Sequence, residues 1–486
     1  MLFPSNIFLF CFLPVMLVLY YVCAAVIPKD KRVLYKNIVL LTGSIIFYAY
    51  GEHILTLILI FSIFFNYGMA LWIEMTHNRQ RSAKGLMILT VIVNIAVLFV
   101  YKYLDFSITN INRLFGFSIP LSGLVLPIGI SFFTFQALSY VVDVYWQRAS
   151  AQKNPLYVGL YISLFPQLVA GPIVRYDSIA LQMKERQENL DKFGRGVMRF
   201  IVGIGKKVLL ADTMALFADR IFAMENSTAA LSVSMAWLGA ISYTLQIYYD
   251  FSGYSDMAIG LGEMFGFEFQ ENFNYPYIAK SVTEYWHRWH ISLSTWFRDY
   301  VFYPVQRSAL CSVIRTKMRK SGHKKLMRII PSFISMFAVW SLTGIWHGAN
   351  WTFLFWGIIF FIFQFIEEIT EYGKKWHLPW GLAHIYTMLV VVLSFVLFKS
   401  NTIHDAIRYL GRMFGVGSKA VLDRQAWFYI KDNWVFFLLA ILFTMPVGKK
   451  LEKHAYLWQP GLAIVLLLSI VYILKGTYSP FIYFSF

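Results

Sequence analysis

The chain has 486 residues, of which 58% are AVILMFWYC and 14% DEKR, against roughly 45–50% and 25% in an ordinary soluble domain. This excludes a wholly water-soluble globule, a disordered chain, a coiled coil and collagen, and three cysteines are too few for a disulfide-stapled scaffold. The formal charge of +17 falls in short clusters between apolar spans, as on the cytoplasmic side of a polytopic membrane protein, and no segment offers the basic face that nucleic acid needs.

The first charged residue is Lys29. A secretory signal needs a positive region ahead of its apolar core, so residues 5–27 read as a retained membrane helix. The cluster Lys29, Lys31, Arg32 and Lys36 then places the N-terminus outside and the first loop in the cytoplasm. Spans are predicted at about 37–51 and 54–73, before a second basic loop with Arg79, Arg81 and Lys84. Two crossings separate the basic loops, so both fall on one side. Further spans are expected at 86–102, 123–145 and 156–174. Residues 178–200 mix Lys184, Glu185, Arg186, Asp191, Lys192 and Arg195 with apolar positions and read as an amphipathic helix on the membrane surface. Spans resume at 197–223, 229–250, 329–346, 351–370, 382–398, 434–447 and 460–477. The expected class is an all-α polytopic membrane protein with about 11–13 spanning or re-entrant helices at ~20 residues each. Continuous apolar runs exclude a β-barrel. Cys11, Cys23 and Cys311 read as packing residues. The densest positive run, residues 312–328, is a topology marker or, in addition, a lure for anionic lipid or an anionic cofactor.

Residues 243–300 are too polar for their surroundings. They interleave aromatic residues with Asp250, Asp256, Asn272, Asn274, Glu284, His287, Arg288, His290, Arg298 and Asp299. Charged groups at the bilayer centre cost about 2.5–3.5 kcal/mol each on insertion scales, so they persist where they line a cavity or pair together. Pro276, Gly253, Gly260, Gly262 and Gly266 are expected to break the helix here. The stretch reads as the lining of an internal, re-entrant polar cavity. A second polar spot is SLTGIWHGANW, residues 341–351. Its His347 is either an interfacial histidine paired with a carbonyl or a functional group, and Gly344, Gly348 and Ala349 permit a close approach of backbone or substrate.

Ten histidines invite a metal reading. The close pair is His287 and His290, whose spacing puts both on one helix face but supplies two ligands where catalytic zinc takes three. Without a metal, buried histidines suit proton transfer from a hydroxyl to which an activated acyl group is moved. They also suit a proton-coupled transporter, although no internal repeat accompanies them.

The stretches YYDFSGYSDMAIGLGEMFGFEFQENFNYPYIAKSVTEYWHRWHISLSTWFRDY and SLTGIWHGANWTFLFWG resemble the membrane-bound O-acyltransferase (MBOAT) family, most closely its alginate O-acetyltransferase (AlgI-like) branch. LPIGISFFTFQALSYVVDVYW, FPQLVAGPIVRY, VLFKSNTIHDAIRYLGRMFG and the terminal FIYFSF extend the likeness along nearly the whole chain. The resemblance implies one MBOAT domain over 1–486, with N-terminal helices at 1–122, a catalytic core at 123–400 and C-terminal helices at 401–486. It implies tilted helices around a central funnel, His347 as the invariant catalytic histidine and His290 as the second. His287 falls at a variable position. Arg307 and Ser308 stand where the branch has a Gly-Gly turn. The tunnel residues implied are Trp286, Arg288, Trp289, Ser292, Trp346, Asn350, Asp250, Ser252, Tyr254, Asp256, Asn272, Arg298 and Asp299, some of which could equally be buried structural pairs. No metal and no resident cofactor are implied. The expected donor is cytoplasmic acetyl-CoA, and the expected acceptor side is an SGNH-type extracytoplasmic partner with a Ser nucleophile that decorates a polysaccharide. The expected place is the bacterial cytoplasmic membrane. Transfer of D-alanine to teichoic acid from a carrier protein, and proton-coupled polysaccharide transport, are the competing functions.

Overall fold

The computed structural model describes residues 1–225, 231–373 and 375–476. The terminal FIYFSF lies outside the described residues. Every regular element among them is helical, which fits a chain whose backbone must satisfy its own hydrogen bonds in lipid. Among the described residues, six helices are long and apolar enough to cross a membrane: Lys29–Met75, Gln80–Lys102, Lys324–His347, Trp351–Thr370, Trp380–Lys399 and Ala455–Leu474. The first is 47 residues long, about 70 Å at 1.5 Å per residue and twice a bilayer core. His53, at φ 47°, divides it into Lys29–Glu52 and Thr56–Met75, the two spans read from the sequence. Phe8–Cys23 and Ile130–Tyr145 are shorter apolar helices. The chain is an all-helical, multi-pass membrane protein.

Four sequence expectations need correction. The span expected at 123–145 becomes helical only at Ile130, because Pro127 and left-handed Gly129 hold the preceding backbone out of the helix. The span at 156–174 is the helix Pro155–Ser163 and a single turn, Phe165–Leu168, stopped by Pro166, Gly171 and Pro172. Residues 178–200 do not form one surface helix: Tyr176–Ala180 and Leu190–Gly205 are helical, and in the irregular stretch between them Met183, Arg186 and Glu188 turn inward while Leu181, Lys184, Glu185, Gln187 and Asn189 stay exposed. Arg186 donates to the Tyr20 hydroxyl at 2.6 Å and Lys36 pairs with Glu188, so these charges neutralise one another inside the protein. Finally, Gly253, Gly260 and Gly262 do not interrupt the 32-residue helix Val233–Met264. A Cβ on Gly260 would stand 2.6 Å from the Gly196 carbonyl oxygen, so that glycine serves close packing. The helix ends before Gly266, whose φ of 85° favours glycine.

The chain divides into two compact units. The first comprises Met1–Ile204, Tyr254–Gln270 and Ile473–Lys475. A tyrosine cluster, Tyr140, Tyr161 and Tyr176, lies in its interior, with centroids 4.7 to 6.3 Å apart. In the first turn of the helix Leu104–Phe115, Asp105 accepts from the backbone N–H and hydroxyl of Ser122, both at 2.7 Å. Those bonds hold its carboxyl below the usual carboxylate range.

The second unit is built mainly of Gly205–Gly253 and Glu271–Tyr472. Its core is aromatic: Tyr243, Tyr248, Tyr285, Trp286, Trp289, Trp340, Trp356, Phe395 and Phe398 are all buried. The helices Lys324–His347 and Trp351–Thr370 form a hairpin whose crossing is set by glycine. A Cβ on Gly344 would lie 2.5 Å from the Phe353 carbonyl oxygen, and one on Gly357 would strike the Trp340 carbonyl. Of the small residues flanking His347, Gly344 thus permits backbone to approach backbone, while a Cβ on Gly348 would meet the Phe353 ring. Gly344→Val is expected to lower the folded yield and thermal stability of the detergent-solubilised protein, at a cost of about 1–3 kcal/mol or more for overpacking. Gly68→Val is the control, because nothing lies within 4 Å of its Cβ position. Equal melting of the two variants would show that the crossing tolerates a side chain.

Candidate active site

Residues 271–297 belong to the second unit and carry the polar segment. They run as irregular backbone, a 3-10 turn at Pro276–Ile278, a helix Val282–Arg288 and a second helix Ile291–Phe297. Short helices expose many terminal N–H groups, and those at the start of Val282–Arg288 are met. Ser281 accepts from the Glu284 N–H at 2.9 Å. Glu367, on the helix Trp351–Thr370, accepts from the N–H groups of Val282 at 2.7 Å and Thr283 at 2.8 Å. It also takes the Thr283 hydroxyl at 2.6 Å and the Tyr386 hydroxyl at 3.1 Å. A carboxylate at a helix N-terminus is favoured by the helix dipole as well.

His290 lies between the two short helices in a left-handed conformation, φ 45° and ψ 52°. Such a conformation is uncommon for a residue with a side chain and persists where its surroundings enforce it. The helix carrying His287 ends at Arg288, so the two histidines do not share a face: His287 is exposed and His290 is 1% exposed. The His290 ring packs edge-on against Phe251, centroids 4.5 Å apart, with Phe273 at 6.5 Å and Trp346 at 6.0 Å. Its Nδ1 lies 3.2 Å from Asn272 Oδ1. Its Nε2 is buried and makes no hydrogen bond among the described residues.

His347 ends the helix Lys324–His347 and is 7% exposed. It sits in an aromatic cage, with Trp346 and Trp356 each at 4.9 Å and Phe398 at 5.3 Å. Trp346 is therefore common to both imidazoles. Trp286 ties the short helix to the hairpin, with Trp340 at 4.6 Å and Trp356 at 5.7 Å. The arrangement brings two imidazoles into one apolar, water-poor interior, where proton transfer competes with little solvent.

The other expected site residues divide clearly. Asn272, Ser292, Trp286, Trp289 and Trp346 surround the histidine segment. Ser292 donates both its N–H, at 3.1 Å, and its hydroxyl, at 2.8 Å, to Asn272. Trp289 packs on Phe273 at 5.1 Å and on Phe395 at 5.7 Å. Arg288 pairs with Glu284 at 2.8 Å, one helical turn away, and is half-buried. Asn350 caps the helix Trp351–Thr370 and donates to the Asn401 carbonyl at 2.8 Å. Arg298 and its neighbour Asp299 pair at 2.9 Å, with the arginine exposed. Ser252 is buried. Asp256 and Tyr254 belong to the first unit. There Asp256 takes two N–H bonds from Arg199, at 3.0 and 3.1 Å, and Tyr254 stacks on Phe3 at 4.5 Å. Ser308 caps the basic helix Ala309–Lys320, which gives a local reason for a serine in place of a flexible turn.

Asp250 is paired with a residue that the sequence reading left out. Lys207 is 2% exposed and its ammonium lies 2.7 Å from Asp250 and 2.6 Å from Asp212. It stands in the π-helical turn Lys206–Ala211, the kind of local irregularity often found at functional sites. A lysine inside the apolar run 197–223 was the available signal. Glu367 was missed in the same way, although a carboxylate in FFIFQFIEEIT is an intramembrane ionisable group.

Comparison with known proteins bears on this geometry. The family model for MBOAT, membrane-bound O-acyltransferase family, matches residues 45–318, which include His290 and stop before His347. A protein named probable alginate O-acetylase AlgI from Pseudomonas aeruginosa is 39% identical over 422 residues, covering 86% of this chain and 76% of that protein. The protein of the same name from Pseudomonas putida is 35% identical over 514 aligned positions, covering all of both chains. A peptidoglycan O-acetyltransferase of Helicobacter pylori is 31% identical, covering all of this chain and 98% of its own.

Proposed function

The chain belongs to the membrane-bound O-acyltransferase family, and we propose that it moves an acetyl group from cytoplasmic acetyl-CoA to an extracytoplasmic hydroxyl, for O-acetylation of a surface or secreted polysaccharide. The observation that carries this reading is the pair of buried histidines, His290 and His347, set in one aromatic interior with Trp346 near both. Likeness to acetylases of alginate and peptidoglycan supports acetyl as the acyl group and a carbohydrate polymer as the final acceptor.

In this mechanism the acceptor hydroxyl belongs to the Ser nucleophile of an SGNH-type partner. Its oxygen attacks the thioester carbonyl. The new C–O bond forms as the C–S bond breaks, and the hydroxyl proton passes through imidazole to the departing sulfur, giving an ester and free thiol. His347 serves as base towards the hydroxyl, and His290 assists by orienting the thioester or by taking part in proton transfer. General base action contributes about 10²–10⁴ in rate. The aromatic walls keep out water that would hydrolyse the donor. The cations of 312–328 suit an anionic donor on the cytoplasmic side, and the basic cluster after the first apolar stretch supports an N-terminus outside the cytoplasmic membrane.

The test is the bound acetyl ester content of surface polysaccharides in a deletion strain and in the same strain complemented with the wild-type gene. Acetate is expected to vanish and then return. A polymer that keeps its acetate but loses D-alanine esters would overturn the acetyl reading in favour of D-alanyl transfer.

A further inference from the structure

We infer that Asn272 is a positioning residue that locks His290 in the tautomer with hydrogen on Nδ1, so that the buried Nε2 is a proton acceptor. The inference deepens the acetyl-transfer reading and rests on it for its catalytic meaning.

The amide orientation of Asn272 is settled by its neighbour. The backbone N–H of Ser292 lies 3.1 Å from Oδ1, and a backbone N–H can only donate. The atom facing it is therefore the carbonyl oxygen. Reversing the amide would set its NH₂ against that donor. The Ser292 hydroxyl, at 2.8 Å, donates to the same oxygen. The oxygen so fixed has no hydrogen to give, so His290 Nδ1, 3.2 Å away, must be the donor. A neutral imidazole carries one ring hydrogen. With that hydrogen on Nδ1, Nε2 holds a lone pair, and it faces the protein interior without a hydrogen bond.

The backbone agrees. The Asn272 carbonyl accepts from the Ile291 N–H at 2.9 Å. One residue thereby holds positions 290, 291 and 292, which keeps His290 in its left-handed conformation. The retained cost is the Asn272 Nδ2 group, which is buried and makes no hydrogen bond among the described residues. The same geometry chooses between the two roles open to His290. Nε2 cannot donate a hydrogen bond to the thioester carbonyl. It can take a proton from the hydroxyl side and release it to the departing sulfur.

The decisive measurement is the 15N spectrum of histidine-labelled protein in bilayers, with the His290 signals assigned by their loss in His290→Gln. The expected result is hydrogen on Nδ1 and a bare Nε2. In Asn272→Ala the hydrogen is expected to redistribute towards Nε2. With purified protein and acetyl-CoA as the donor, kcat should fall roughly 10- to 100-fold, by analogy with the loss of hydrogen-bond partners that orient metal-bound histidines. KM for the donor should change little. Asn272→Asp keeps an acceptor facing Nδ1 and should restore the Nδ1–H form and most of kcat. Hydrogen on Nε2 in the wild type, or an unchanged tautomer in Asn272→Ala, overturns the inference whatever the activity. A correct tautomer in a protein that transfers no acetyl group would instead sink the acetyl-transfer reading and leave the lock standing.

Discussion

His347→Ala is expected to reduce polysaccharide acetate to the level of the deletion strain while the protein still accumulates in the membrane. The two halves of that expectation have separate causes. In the proposed mechanism the imidazole is one of two buried bases, and its loss would remove a proton-transfer group worth about 10²–10⁴ in rate. The fold depends on it less. The cage of Trp346, Trp356 and Phe398 is held by its own packing, with Trp356 and Phe398 5.0 Å apart. Alanine leaves a void there, so some loss of thermal stability is expected, and His347→Gln separates that loss from the chemistry. Glutamine fills more of the space and keeps a polar end, yet an amide does not act as a base at neutral pH. Both variants should be inactive, with His347→Gln the more stable. Acetate at wild-type level in His347→Gln at matched protein abundance would show that the residue is structural.

How much of this was legible in the sequence differs by element, for physical reasons. The long spans were legible because lipid demands about 20 apolar residues per crossing, and Trp351–Thr370 matches its expected limits residue for residue. The interior of residues 155–189 was not. Apolar content there reflects burial inside protein, and Pro166, Gly171 and Pro172 decide the backbone. Charge misled at Arg186, Glu188 and Lys192, because composition cannot tell a charge facing water from one neutralised by a partner far along the chain. Glu188 meets Lys36, 152 residues away. The histidines were legible as ionisable groups in apolar surroundings. The partners of His290 were legible only as a list. That Asn272 touches His290 while Asp256 pairs with Arg199 follows from tertiary contacts, and the i,i+3 spacing of His287 and His290 suggested a shared face that the left-handed backbone at His290 abolishes.

Replacing Glu367 should have an effect nearly as large as replacing His347, through a different route. Its carboxyl oxygens accept from the Val282 N–H, the Thr283 N–H, the Thr283 hydroxyl and the Tyr386 hydroxyl, and Glu367 is 4% exposed. Those bonds hold the start of the helix that leads, within one turn of its end, to His290. Glu367→Ala orphans the buried Val282 N–H and the part-buried Thr283 N–H and Tyr386 hydroxyl. At about 1–3 kcal/mol for a buried unsatisfied group, and less for donors that water reaches, the loss is on the order of 2–3 kcal/mol. The N-terminus of Val282–Arg288 would then turn towards other acceptors, and His290 would move with it. Misplacement of about 1 Å in a catalytic group costs about 10²-fold, so acetate should fall steeply even in the fraction that folds. Glu367→Gln is the informative intermediate. Its oxygen can still accept from one side, but its NH₂ must face either the Val282 N–H or the Thr283 N–H, donor against donor. The expected order of melting temperature and of acetate content is therefore wild type, then Gln, then Ala. Thermal unfolding of detergent-solubilised protein and polymer acetate at matched expression read the two quantities separately. If Ala melted with the wild type and acetylated normally, the capping of this helix by Glu367 would have no part in placing His290.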